Sequence, residues 1–270
     1  MAEKKTRKIT PAGEATKKTA AKKTTAKKSA PTKERKVKPA KEKAPEGSAT
    51  GLRVAAFILW FVGIAMEVAA ILLLNGTIYL GGNELTWLLV ALGVDLVAVV
   101  IASQLWKKSN RIDPASEKNK LKFFLWNNLG VIMSIIAFLP ILILLLKNKD
   151  LDAKTKKIAS IVAACALAVS VGTSIDYNPI SAEEKAAQIE ASEVLNDGIV
   201  YWSTFGKKYH YDTECQHIRN SDQLYEGTVE QAVEANRTDL CKTCHANYEE
   251  AYDEAYNAAF DAAMNGDTAE

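Results

Sequence analysis

The chain has 270 residues, 48% hydrophobic and 24% charged, with a formal net charge of +2. Those averages describe an ordinary soluble protein, but they arise by cancellation: residues 1–50 hold 16 Lys or Arg against 5 Asp or Glu, residues 181–270 hold 6 against 19, and the apolar residues are concentrated between. A basic end and an acidic end flanking long apolar runs exclude a single soluble domain and identify an integral membrane protein.

Residues 1–50 are almost entirely Lys, Ala, Thr, Pro, Glu and Ser, with fragments such as TAAKKTTAKKSAPTKERKVKPAKEK and no aromatic residue. Such a segment buries too little apolar surface to offset its chain entropy, so a disordered tail is expected. Its composition resembles the lysine-rich tails of histone-like proteins. The charge fixes orientation in a membrane and suits adhesion to anionic lipid or nucleic acid, at on the order of 1 kcal/mol per Lys near an anionic surface. No base-reading motif accompanies it. The basic region is too long for a signal peptide and no small-residue cleavage site follows, so the first apolar run is expected to stay in the membrane.

Within a transmembrane region over 51–178, four spans are expected. VAAFILWFVGIAMEVAAILLL, residues 54–74, gives 21 residues, enough to cross a hydrocarbon core of about 30 Å. A second span is placed at about 86–106, a third at 123–146 and a weaker fourth at 158–175. Trp60, Trp87, Trp106 and Trp126 fall mostly near span ends, where an amphipathic ring prefers the interface. Four spans put both termini on one side. The basic tail, a lysine-free 75–85 loop and six basic residues in the 107–122 loop place that side in the cytoplasm of a bacterial cell. The 147–157 loop, with five lysines, opposes this assignment and would put the C-terminal region outside; the tail and the second loop outvote it.

Glu67 and Asp95 lie within the first two spans, at similar depth if these are antiparallel neighbours, and no Lys or Arg lies inside a span to pair with them. A carboxylate at mid-bilayer costs roughly 2.5 to 3.5 kcal/mol, so each is expected to be protonated, paired or turned to a wet interior. Either they hydrogen-bond between helices as packing glue, or they serve a transporter or channel-like protein, with Asn127, Asn128 and Gln104 adding polar contacts. Arg53 and Lys122 sit at span ends, from which they reach the interface. Pro140 is expected to kink the third span, and the lone Cys165 to pack inertly in the fourth.

Residues 181–196 have acids in the first turn and helical apolar spacing, giving a helical linker over 179–198. In the module that follows, 199–270, IVYWSTFGKKYHYD has the alternation and central glycine of a hairpin. Thr228 and Gln231 have capping-box spacing before a short helix. HANYEEAYDEAYNAAFDAAMNG is helical, with an aromatic stripe at 248, 252, 256 and 260 that suits packing.

The motif CKTCH, 241–245, reads either as a c-type haem attachment signature or as half of a zinc site. Zn²⁺ takes four ligands from two close pairs, and His210 with Cys215 at the end of the hairpin, and Cys241 with Cys244 opening the last helix, supply them. His217 and His245 stand by as spare ligands. Haem needs an extracytoplasmic site, a second axial ligand such as Met264 or His217, and leaves His210 and Cys215 without a role. A Cys241–Cys244 disulfide is the alternative for a module outside the cell.

Residues 200–244, VYWSTFGKKYHYDTECQHIRNSDQLYEGTVEQAVEANRTDLCKTC, are similar to the Ada-like metal-binding segments appended to some bacterial nucleases, competence proteins and uncharacterised membrane proteins. The shared pattern is an aromatic strand, Gly-Lys-x-Tyr-His, four residues, Cys, a Ser-containing turn, a short helix and Cys-x-x-Cys. The resemblance implies His210, Cys215, Cys241 and Cys244 as zinc ligands. The family has Gly after the helix and Pro before the first paired Cys, where this chain has Arg237 and Leu240, neither a ligand. Zinc-thiolate methyl transfer is not implied, because the four-cysteine set is absent.

The expected fold class is mixed: a disordered basic tail, a four-helix transmembrane bundle, and a small α+β zinc-binding domain with a C-terminal helix. No catalytic constellation occurs in the soluble parts, so the expectation is a non-enzymatic membrane protein presenting a zinc interaction module. The bilayer, anionic lipid or nucleic acid on the tail, and a protein on the module are its expected partners. A transporter and a membrane cytochrome through Cys241, Cys244 and His245 are the alternatives.

Overall fold

The structure, a computed structural model, describes residues 36–41, 48–149 and 151–266; for residues 1–35 and 42–47 the expected disordered tail lies outside the described residues. Four helices are long and apolar enough to cross a membrane: α1 (Ser48–Leu74), α2 (Glu84–Ile112), α4 (Leu129–Lys147) and α5 (Ala153–Ser174). Their outward faces expose Phe57, Ile58, Phe61 and Val97, unlike a soluble bundle, while the buried faces mix small and aromatic residues with aliphatics such as Leu92 and Ile141. Along α1, Ala56, Trp60, Gly63, Glu67 and Ala70 recur at alternating steps of four and three and form the seam against α2. Ala159, Ala163 and Ala166 do the same on α5, letting backbones approach closely.

Two boundaries differ from the hydropathy reading. The helix α2 continues six residues past Trp106, because Lys107–Ile112 are polar but helix-compatible, and stops only at Asp113, which precedes Pro114. The third apolar stretch is broken into α3 (Lys120–Asn127) and α4, since the side-chain amides of Asn127 and Asn128 donate to the carbonyls of Phe123 and Phe124 and compete with continued helix. Of the tryptophans, Trp60 and Trp106 are buried within the bundle with ring centroids 5.5 Å apart, and Trp106 donates to the carbonyl of Trp126 at 2.8 Å. Arg53 does not simply reach for the interface: it lies over the Trp126 ring at 5.3 Å and pairs with Asp113 at 2.7 Å.

Four passes bring the chain back to the end where it entered, and the remaining elements are docked there. Arg111 pairs with Asp176 at 3.3 Å, the Lys185 ammonium donates to the last carbonyls of α2, and Glu183 accepts from Ser116 and from the Glu117 amide. Lys185 and Glu183 belong to α6 (Ala182–Asn196), which opens with a complete Ser181/Glu184 capping box.

Beyond α6 come β2 (Val200–Ser203), β3 (Lys208–Tyr209), β4 (Gln223–Gly227), α7 (Val229–Glu234), β5 (Asp239–Leu240), α8 (Lys242–Asn247) and α9 (Glu249–Asn265). The Thr228/Gln231 capping box is formed. The hairpin is reduced to one bridge, in which Tyr201 and His210 exchange two hydrogen bonds of 2.8 Å; β2 pairs antiparallel with β4, and β3 pairs parallel with β5. A strand from the basic segment, β1 (Lys36–Pro39), adds parallel to the other edge of β4. The aromatic stripe on α9 stacks Tyr252 on Tyr256 and Tyr256 on Phe260, and this helix packs on α6.

Candidate metal centre

The parallel pairing of β3 with β5 sets Tyr209 opposite Leu240, so the next residue of each strand, His210 and Cys241, emerge side by side. The amide of Cys241 donates to the Tyr209 carbonyl at 2.9 Å and fixes that register. Cys241 is the N-cap of α8 and Cys244 lies in its first turn, which turns both thiols toward one point. Cys215 arrives from a tight turn in which its amide donates to the Asp212 carbonyl, and its own carbonyl accepts from Ile218 and Arg219.

The result is a buried group of four possible ligands, His210, Cys215, Cys241 and Cys244, at 4%, 6%, 4% and 1% exposure, whose ligand atoms all lie within 4.8 Å of one another. The Cys215 and Cys241 sulfurs are 3.9 Å apart, far beyond the roughly 2.05 Å of a disulfide. The Cys244 sulfur is 3.7 Å from Nδ1 of His210. Backbone amides of His217 and Tyr211 face the Cys215 and Cys244 sulfurs, donors suited to thiolates.

Burial sets the protonation of the group. It pushes the His210 imidazole down to about 4, with nearby His217 adding to the effect, so the ring is neutral and offers a lone pair. It pushes the Cys244 thiol up to about 12 and raises Cys215, with the neighbouring thiols contributing. Left to themselves these sulfurs keep their protons; a bound cation reverses that balance and releases them. The arrangement can therefore hold a metal ion.

The spare histidines flank the group without joining it. His217 Nε2 lies 3.1 Å from the Thr243 hydroxyl, and His245 Nε2 lies 3.0 Å from Asp253. Cys165 is exposed on α5 rather than packed. Glu67 and Asp95 are both buried in the bundle; Gln104 on α2 bonds to the Thr173 carbonyl on α5, Asn127 bonds to Phe123 and accepts from Asn110 on α2, and Asn128 bonds to Phe124, so these amides join helices and shape the α3–α4 break.

The residues that hold the centre in place carry no motif. Buried Gln188 on α6 accepts from the Tyr209 hydroxyl at 3.1 Å and donates to the Thr238 carbonyl at 3.0 Å, thereby gripping both ligand-bearing strands. Asn178, on the segment leaving α5, donates to the side chains of Thr238 and Asp239. A glutamine among Ala187, Ala191 and Ser192 on the apolar face of a helix is the one sequence sign of such a role.

Comparison with models of known protein families, with curated proteins and with solved structures found no match for the chain.

Proposed function

We propose that the protein is a membrane-anchored, non-enzymatic interaction protein whose module is organised by one structural zinc ion on His210, Cys215, Cys241 and Cys244. The donor set carries the reading. Three thiolates and an imidazole are a soft, borderline combination that suits Zn²⁺, and all four are buried together. Zn–S bonds of about 2.3 Å and tetrahedral angles require sulfurs about 3.8 Å apart; the Cys215–Cys241 separation is 3.9 Å. Four protein ligands leave no open position for a substrate, which favours a structural over a catalytic ion. The Ada-like pattern of residues 200–244 points to the same four ligands. Haem is disfavoured because Cys241 and Cys244 face inward to His210 and Cys215, and His245 is engaged by Asp253.

In this reading four spans anchor the protein in the cell membrane of a bacterium, with both termini in the cytoplasm. The lysine-rich tail contacts anionic lipid or nucleic acid, and the acidic module presents a surface to a protein partner. Elemental analysis of the full chain purified in detergent tests the metal. One zinc per chain is expected, falling below a tenth in Cys241→Ser/Cys244→Ser. Absence of metal from the wild type, or a haem absorption band, overturns the proposal.

A further inference from the structure

Glu67 and Asp95 are both buried, on α1 and α2, and among the described residues no hydrogen bond joins them; Asp95 has no partner, and Glu67 meets the Ile141 amide of α4. Asp95 is 0% exposed and neither of its carboxyl oxygens has a hydrogen-bond partner among the described residues; nor does Oε1 of Glu67, which is 6% exposed. They are close enough for the charge of one to act on the other. Space for Asp95 is made by Gly63, since a Cβ there would stand 2.7 Å from Oδ1. On the third side is α4, where Pro140 has no N–H to give the Ile136 carbonyl and the Ile141 amide faces Glu67.

Among the described residues no counter-charge reaches this pair. Between Arg53 and Leu74 α1 carries only Glu67; between Leu85 and Trp106 α2 carries only Asp95. From Leu129 to Leu146 α4 has no ionisable side chain, and from Ile158 to Ser174 α5 has only Cys165, which is exposed. Two carboxylates in an apolar bundle, close to each other with no cation, cannot both stay ionised. A hard metal cation would need six or more oxygens, and beyond the two carboxylates the helices offer few, the Ile136 carbonyl being freed by Pro140. A proton needs one acceptor.

We propose that Glu67 and Asp95 together form a proton-binding site inside the membrane bundle, holding at least one proton at neutral pH and exchanging it as a unit. Polar groups lead from it toward the module end of the bundle. Ser103, two turns along α2 from Asp95, has an unpartnered buried hydroxyl and lies against Gly130, beside which Ser134 and Ser174 are 3.1 Å apart. This inference is independent of the metal centre.

The test uses the full chain in detergent or vesicles. An apolar carbodiimide adds to a protonated carboxyl: the acid oxygen bonds to the central carbon, the proton passes to a nitrogen, and rearrangement leaves a stable N-acylurea heavier by one reagent. Peptide mapping is expected to find one such adduct per chain, on Glu67 or Asp95, decreasing at least tenfold from mildly acidic to strongly alkaline pH and absent from Glu67→Gln/Asp95→Asn. In parallel, infrared spectra of the wild type should show a protonated-carboxyl carbonyl band that titrates over the same range, a readout that survives if the variant does not fold. A wild type with no adduct on either residue and no such band overturns the proposal, as does labelling that ignores pH.

Discussion

Replacing Gln188 by Leu probes whether the metal centre depends on the helix that buttresses it. The substitution keeps the side chain's bulk but takes Gln188 from two buried groups that it engages at 3.1 and 3.0 Å, the Tyr209 hydroxyl, which keeps Tyr252, and the Thr238 carbonyl. Tyr209 is fully buried and Thr238 nearly so, so water does not replace the lost partner. The unpaired Thr238 carbonyl costs about 1 to 3 kcal/mol and the lost Tyr209 bond about 1 more, giving roughly 2 to 4 kcal/mol. Both groups lie on strands that lead directly into ligands, Tyr209 into His210 and Thr238 through β5 into Cys241. Where metal binding and local folding are one equilibrium, that cost appears as weakened metal affinity, at about tenfold for each 1.4 kcal/mol. Competition against a chromophoric chelator should therefore show a loss of about thirtyfold or more. An affinity within threefold of wild type in a folded Gln188→Leu protein refutes the coupling of α6 to the centre.

Other perturbations reach different parts of the chain. Lys38→Pro removes the amide midway between those of Lys36 and Ala40, which donate to Asp222 and Glu226, so β1 should detach from β4 and hydrogen exchange at residues 36–41 should become fast. Gly63→Ala brings a methyl group to 2.7 Å from Asp95 and 3.2 Å from Val99, and the resulting overpacking should destabilise the bundle by about 1 to 3 kcal/mol in thermal unfolding in detergent. The pH dependence has a definite sign. Burial raises the Cys215 and Cys244 thiols, so metal must displace their protons near neutrality; log affinity should rise with pH with a slope of about two or more, and metal uptake should acidify a weakly buffered solution. The His210 ring, held neutral down to about 4, adds little to that slope above neutrality.

Hydropathy made the four helices long and apolar enough to cross a membrane legible, because a bilayer demands some twenty apolar residues in succession, a signal spread over many positions. It misplaced their ends for the same reason: Lys107 to Ile112 end an apolar run without ending a helix, and Asn127 with Asn128 end a helix within an apolar run. The four possible ligands were legible because cysteine and histidine at short spacing are rare. Their grouping was legible too, but not the element that assembles them: the parallel β3–β5 pairing has two residues in each strand and 29 between them. So short a ladder has no periodicity to detect. The strand KVKP is hidden for a related reason, since its four residues alternate nothing apolar but Val37 and gain their conformation from the open edge of β4.

The charge segregation along the sequence closes up in three dimensions, and this bears on sidedness. The basic end of α2 meets the acidic start of the module, through Arg111 with Asp176, Lys185 on the α2 carbonyls, and Glu183 on the loop at Ser116 and Glu117. The module is thus tied to the same bundle end as the six-cation 107–122 segment, and opposite the five-lysine 147–157 segment whose cations conflict with that orientation. Three of those five, Lys154, Lys156 and Lys157, belong to the first turns of α5, and Lys156 donates to the Asn148 carbonyl at 2.7 Å, so part of this segment's charge is built into a helix start. The positive-inside bias supports the proposed cytoplasmic placement of the module. Phe205→Cys in a Cys165→Ala background offers a reporter, because residue 205 is 96% exposed while the three remaining thiols are buried. A membrane-impermeant maleimide should leave it unlabelled in intact cells and label it once the membrane is opened. Labelling in intact cells would invert the orientation and move the basic tail to the outer face with the module.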